Sequence, residues 1–194
     1  MPQFNIKDIP TVENYRDITD ILIDKLSLNQ RYINFEIEND LIFLIGEPSD
    51  EIRNSDYLKY IHNYEKDESF IEQKLSNNLI DSILELKSKE IIKTYHEVGN
   101  GGIFKTLLEA SFKNNLGFDI ETNPFHRKDV FLFSETLGRY IVSINPNNAS
   151  SLMKYFSDND ESVIYLGLVT DNKLVVDDEF LGTTEQVKTK KNIA

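Results

Sequence analysis

Hydrophobic and polar positions alternate along this chain with two distinct periods, and the switches between them divide it into elements. From Val12 to Leu28 the apolar residues Ile18, Ile21, Leu22 and Leu26 fall on one helical face. Tyr32 to Ile37 then alternates apolar with polar as a half-buried strand does, and Glu38-Asn39-Asp40 supplies a turn. Leu41 to Ile45 is apolar throughout, which predicts a strand covered on both faces, and it runs into the loop Gly46-Glu47-Pro48-Ser49-Asp50-Glu51. Ser55 to His62 reads as a short helix. Ser69 to Lys87 reads as a long one, with the stripe Ile71, Leu75, Leu79, Ile83 and Leu86 every three to four residues.

The second half begins with Ile91, Ile92 and Tyr95, a strand signal that stops at His96-Glu97-Val98-Gly99-Asn100-Gly101-Gly102-Ile103. Ile103, Leu107, Ala110 and Ser111 follow at helical spacing, so Gly101 and Gly102 should open a helix. Gly117 to Ile120 reads as a strand, Asp129 to Glu135 as a buried helical turn, Tyr140 to Ile144 as a strand and Asn148 to Phe156 as a helix. Ser162 to Leu168 and Lys173 to Val176 are the final strands, separated by a turn at Asp171-Asn172. Hairpin-like and crossover connections are mixed in this order, which predicts an α+β domain, a mixed β-sheet with helices packed on it. The polar, proline-bounded first ten residues and the Lys-rich stretch Gln186 to Ala194 are expected to fray.

Composition narrows the function. With 33 acidic against 21 basic residues the net charge is -12, which repels nucleic acid and anionic membranes over most of the surface. There are no cysteines, so a disulfide framework, a thiolate metal site and a cysteine nucleophile are all excluded. No apolar run approaches the ~20 residues of a membrane span, and Met1-Pro2-Gln3-Phe4-Asn5 lacks the regions of a signal peptide, so a cytoplasmic protein is expected. At 194 residues with 12 Phe and 9 Tyr, one domain with a sizeable core is expected, without repeats or a linker.

Three loops carry candidate chemistry, and each has a structural alternative. A helix opened by Gly101 and Gly102 offers unpaired N–H donors and partial positive charge to a phosphate, with His96 beside it; equally, such a turn needs glycine for its backbone geometry. In Leu132-Phe133-Ser134-Glu135-Thr136-Leu137-Gly138-Arg139, Arg139 could grip a phosphate with two hydrogen bonds or pair with Glu135 to hold the turn. Glu47, Asp50 and Glu51 could ligate Mg²⁺ or form a solvated acidic loop. His62 and His126 read as partly exposed histidines without catalytic work. No nucleophile elbow, P-loop lysine or His-Glu-x-x-His pattern is present.

Taken in order, Gly46 to Glu51, His96 to Ile103 and Leu132 to Arg139 resemble the C-terminal domain of phosphoribosylformylglycinamidine synthase in its small, ammonia-using form, within the aminoimidazole ribonucleotide synthetase-like superfamily. The resemblance runs from about Ile33 to Leu181 and includes Asn115 to Ile120 and the ending Leu166 to Glu179. It implies a part of a carbon–nitrogen ligase of purine biosynthesis, in which ATP activates a formylglycinamide ribonucleotide and ammonia converts it to the amidine. ATP and Mg²⁺ are implied as cofactors of the full enzyme, and N-terminal synthetase domains and a glutaminase subunit as partners. The division implied is a remnant over residues 1–30, a synthetase C-terminal-like domain over 31–182 and a tail over 183–194. A chain with so little before the C-domain is expected to be inactive alone and to contribute phosphate or nucleotide binding through His96, Gly101, Gly102, Ser134, Glu135, Gly138 and Arg139, with no catalytic or metal-ligating residue of its own. The alternative is a non-catalytic binding or interaction module with the same fold. The family pattern His-Asp-Val-Ser-Asp-Gly-Gly-Leu is met here with Glu97, Gly99, Asn100 and Ile103, which removes a hydroxyl and an acid from the turn, and Arg53-Asn54 replaces a glycine pair. The surface that faces an N-domain would be exposed without one, so self-association is also expected.

Overall fold

The computed structural model describes residues 6–11, 15–28, 34–65 and 79–193. In chain order these form a short 3₁₀ turn at Ile6–Asp8, α1 (Tyr15–Lys25), β1 (Leu41–Ile45), α2 (Asp56–Ile61), α3 (Leu79–Ser88), β2 (Thr94–Glu97), α4 (Gly102–Ser111), β3 (Gly117–Ile120) and α5 (Lys128–Phe133). After these come β4 (Tyr140–Ile144), a 3₁₀ turn at Pro146–Asn148, α6 (Ala149–Asp158), β5 (Val163–Thr170), β6 (Lys173–Val176), β7 (Glu179–Thr183) and α7 (Thr184–Lys191). The seven strands make one sheet in the order β2-β4-β1-β5-β3-β6-β7, antiparallel except where β3 runs parallel to β6. The fold is therefore the expected α+β class with a mixed sheet.

Two apolar clusters lie on opposite faces of this sheet. Ile42 and Leu44 of β1 point into the larger one, with α1, α2, α4 and α5 and the aromatic rings of Phe104, Phe118 and Phe133. Phe43 and Ile45 point the other way, into a cluster with Leu79, Ile83 and Leu86 of α3 and Leu152 and Phe156 of α6. A strand buried on both faces has no polar face to show, which is why β1 reads as continuously apolar.

Several expectations are corrected. Tyr32 and Ile33 lie outside the described residues, and Asn34 to Ile37 is not a strand: Phe35 is buried and its N–H donates to the Ala110 carbonyl at 2.8 Å, so the segment is tied to the end of α4 rather than to a strand. Residues 12–14 and 69–78 of the two long helical expectations also lie outside the description; what is described of them is α1 and α3. The Asp171-Asn172 turn does not join neighbouring strands, because β3 lies between β5 and β6. The chain crosses the start of β3 so closely that a Cβ on Gly117 would stand 2.0 Å from the Lys173 carbonyl oxygen, a position only glycine can fill. The hairpin is instead β6–β7, with Asp177 and Asp178 at φ 49° and 64° in its two-residue turn.

The Lys-rich C-terminal stretch expected to fray is α7. Thr183 accepts from the Gln186 N–H at 3.2 Å while the Gln186 side chain accepts from the Thr183 N–H at 2.9 Å, a reciprocal cap. Lys188, Lys190 and Lys191 sit in the last turn, where the helix dipole favours cations. Val187 is buried in the larger cluster, and α7 meets α1 through Lys190–Asp24 at 2.8 Å and the Lys191 ammonium on the Asp24 carbonyl at 3.0 Å. On the same side the Arg16 N–H donates to Glu179 at 3.1 Å. Replacing Thr183 by Ala removes the cap and is expected to lower stability by about 1 kcal/mol, read as a shifted urea midpoint with an unchanged slope.

Candidate functional site

The sheet itself brings the three loops together. Ile45 at the end of β1 and Glu97 at the end of β2 both oppose Tyr140 or its neighbourhood in β4: the register pairs Ile45 with Tyr140 and Glu97 with Tyr140. The loops leaving β1 and β2 and the loop entering β4 therefore emerge at one end of the sheet.

There they are joined by specific contacts. Gly102 stands at φ 67° with α4 so close to α5 that a Cβ would lie 2.5 Å from the Leu132 carbonyl oxygen and 2.8 Å from Phe133 Cα. Glycine is thus required for the helix to approach at all. Gly101, the residue before α4, donates its N–H to Glu135 Oε1 at 2.7 Å. The same oxygen accepts from the N–H of Asp56, the first residue of α2, at 2.8 Å. A carboxylate at two helix starts meets two partial positive charges and two donors that lack intrahelical partners. Ser134 Oγ donates to the Glu51 carbonyl at 2.7 Å, the Ser49 and Thr136 hydroxyls are 2.8 Å apart, and the Val98 N–H donates to the Arg139 carbonyl at 2.8 Å.

Arg139 is the largest fully buried side chain among the described residues. Its Nε donates to the Thr136 carbonyl at 3.1 Å, and Nη2 to the Ser134 carbonyl at 2.8 Å and to Ser134 Oγ at 3.3 Å. Its guanidinium therefore holds the turn through main-chain oxygens, with Gly138 at φ 83° allowing the tight path between them. His96 is buried in β2 with its ring edge-on to Phe35, centroids 6.5 Å apart. The seven residues singled out from the sequence do share one end of the sheet, and the polar atoms of Ser134, Glu135 and Arg139 engage neighbouring loops.

The acidic loop resolves differently. Asp50 reaches the His126 ring at 2.6 Å, and Glu51 receives the Arg53 guanidinium at 2.5 Å. Burial opposes the charge on Glu51, but hydrogen bonds from the Arg53 side chain and N–H outweigh it and hold the carboxyl below its ordinary range. Among the described residues no three His, Asp or Glu side chains are grouped as a metal would need, so the acidic loop, with Glu51 taken by Arg53 and Asp50 by His126, does not fit Mg²⁺.

A buried network beside the loops carries no sequence motif. Asp129 is fully buried in α5; Arg127 pairs with it at 2.6 Å, the Tyr57 hydroxyl donates to it at 2.9 Å, and His62 Nε2 lies 3.0 Å from that hydroxyl. Burial lowers the His62 pKa; Asp129 opposes that shift and Arg127 adds to it. Tyr57 stacks on Phe133 with ring centroids 5.0 Å apart, and Arg127 also donates to the carbonyls of Ile6 and Ile9. The one signal for it in the sequence is an acid, Asp129, directly before the apolar run Val130 to Phe133 and two residues after an arginine.

Residues 38–179 match the family described as AIR synthase related protein, C-terminal domain. The chain belongs to this family. Among curated relatives it is similar to the phosphoribosylformylglycinamidine synthase subunit PurL of Carboxydothermus hydrogenoformans, 32% identical over 149 residues, which are 76% of this chain and 20% of that protein. The PurL subunit of Methanobrevibacter smithii is 30% identical over 177 residues, 81% of this chain and 24% of that protein. The chain spans between a fifth and a quarter of the length of these relatives. Among solved structures it is similar to Thermotoga maritima PurL complexed with FGAR, at TM-score 0.64 and 14% identity over 80% of this chain and 29% of that one. It is also similar to thiamine-monophosphate kinase from Stenotrophomonas maltophilia, at TM-score 0.55 and 11% identity over 77% of this chain and 53% of that one. These structures share the AIR synthase C-terminal fold with the chain.

Removing Glu135 leaves two helix starts without their acceptor, so Glu135→Ala is expected to cost about 1–3 kcal/mol in urea unfolding, and Glu135→Gln, which keeps an acceptor oxygen, less. Because Glu51 is held below its unfolded value, its stabilisation is present above pH 4.5 and is lost as pH falls below that. Glu51→Gln is therefore expected to flatten the acid limb of a stability–pH profile.

Proposed function

We propose that this chain acts as the C-terminal domain of a formylglycinamide ribonucleotide synthase of purine biosynthesis, working beside N-terminal synthetase domains in the cytoplasm and doing no chemistry alone. The observation that carries this reading is the state of the three converged loops. They bring a helix-start amide, hydroxyls and a buried arginine to one end of the sheet, and hold them through the Glu135 carboxylate and main-chain carbonyls. Family membership, the PurL relatives and the solved PurL complexes with FGAR and with ATP support the substrate class and the nucleotide. A glutaminase partner is consistent with the solved PurLQS assembly. ATP belongs to the whole enzyme in this reading, as does Mg²⁺.

Within this reading His96, Gly101, Gly102, Ser134, Glu135, Gly138 and Arg139 form the phosphate-facing end, with the Gly101 amide as donor, the Gly102 N–H already donating to the Gly99 carbonyl at 2.8 Å, and the buried residues holding the loops in place. A phosphate reaching the Gly101 N–H must displace the Glu135 carboxylate, which favours weak binding by the isolated chain. That same contact favours the second reading, an interaction module whose anion site is filled by its own side chain.

Two measurements separate these readings. The purified chain with ATP, ammonia and formylglycinamide ribonucleotide is expected to give amidine at the background rate; robust turnover would overturn the proposal of an inactive domain. Titration with inorganic phosphate, followed by amide NMR shifts at Gly101 and Asp56, is expected to be weak in the native chain and about tenfold tighter in Glu135→Gln, where no anion competes. Absence of binding in both proteins favours the interaction module.

A further inference from the structure

Among the described residues the two faces of the sheet are covered unequally. On the first, Phe118, Ile120, Leu174, Val176 and Leu181 of β3, β6 and β7 all join the larger apolar cluster. On the second, the cluster beneath α3 and α6 takes residues from β1, β2 and β4 and the first residue of β5, and none from β3, β6 or β7. The strand registers place Leu168, Asp119, Val175 and Phe180 in a single row across β5, β3, β6 and β7 on that second face, continuing from Leu41 of β1. Tyr165 borders the row, against Phe43 with ring centroids 5.4 Å apart. Tyr165 is 53% exposed and Phe180 47%, although both are large apolar side chains in the middle of strands.

The face also carries charge of both signs. Asp119 is exposed at its centre. Lys173 lies two residues before Val175, the register partner of Asp119, and so stands on the same side, diagonal to that carboxylate. Lys173 meets Asp171 at 3.5 Å with both side chains more than half exposed, a contact of little energy in water.

We propose that this half of the sheet is the contact through which two copies of the chain pack about a two-fold axis, with Asp119 of each copy against Lys173 of the other. A two-fold contact requires that whatever residue i meets, its counterpart meets i in return. An apolar face with one acid and one base on adjacent strands is complementary to itself in that way, whereas an acid alone would call for a basic partner. The net charge of -12 on each copy acts at long range and is screened beyond about 8 Å at physiological ionic strength, while the pair at contact is not. Four strands at ~4.8 Å spacing, each about four residues long at ~3.3 Å per residue, give a face of roughly 250 Å², well below the ~800 Å² per partner of a standard interface, so the dimer is weak, with Kd on the order of 100 µM. This inference is independent of the proposed function, since it concerns the sheet face rather than the loops.

Sedimentation equilibrium of the native chain from ~10 µM to ~1 mM in ~0.15 M salt is expected to show a monomer–dimer equilibrium. Tyr165→Lys combined with Phe180→Lys is expected to weaken it at least tenfold, with the far-ultraviolet circular dichroism unchanged. Asp119→Lys or Lys173→Glu alone is expected to weaken it about fivefold, and the two together in one chain to restore it to within about twofold, as only reciprocal pairing can. A chain that stays monomeric throughout, leaving the face to a different protein, would overturn the proposal. So would a dimer indifferent to the apolar substitutions, or a charge exchange that fails to restore association.

Discussion

One carboxylate oxygen sits at the junction of two helices. Glu135 Oε1 accepts from the first N–H of α2 and from the glycine that precedes α4, and these helices come from loops leaving two different strands. Each helix start concentrates unpaired donors and partial positive charge, and the two together would repel one another across a shared space. The carboxylate turns that repulsion into attraction toward a common point. Because Glu135 is followed by Thr136 and Arg139, whose contacts bind Ser49 and Ser134, the position of one side chain is tied to all three loops. The arrangement is an anion site in its electrostatics and a structural joint in its present occupancy.

How much of this could be read in advance depends on how far each signal reaches along the chain. The strands β1, β4 and β6 and the start of α4 are local: apolar runs and glycines announce them without reference to anything distant. β7 is not local. Glu179 to Thr183 has only two large apolar residues, and it becomes a strand because β6 offers it a ladder across a turn of two aspartates, residues that favour the left-handed conformation less strongly than glycine or asparagine would. α7 was obscured by composition, since its lysines lack an apolar period; the cap between Thr183 and Gln186 is a pair three residues apart that a search for hydrophobic repeats passes over.

The candidate residues show the same division. Their spacing brought out Gly101, Gly102, Ser134, Glu135 and Arg139, and the sheet register does bring their loops to one end. What the spacing could not give was direction. Arg139 looks like a phosphate ligand in a string of letters, but a guanidinium with no exposed surface that donates to two carbonyls is oriented by burial, and burial is a property of the whole fold. The Tyr57–Asp129–Arg127 network was hard to read for a related reason, since Tyr57 lies 72 residues before Asp129 and reaches the Arg127–Asp129 pair only when α2 packs beside α5.

The meeting of α1 with α7 sets the extent of the folding unit. Family similarity spans residues 38–179, yet Ile18, Leu22, Leu26 and Val187, all outside that span, belong to the same apolar cluster as the strands within it. Asp24 and Lys190 join the two flanking helices to each other. The matched segment is thus smaller than the apolar cluster it belongs to: a domain cut at the limits of its similarity would uncover the patch that Ile18, Leu22, Leu26 and Val187 now cover.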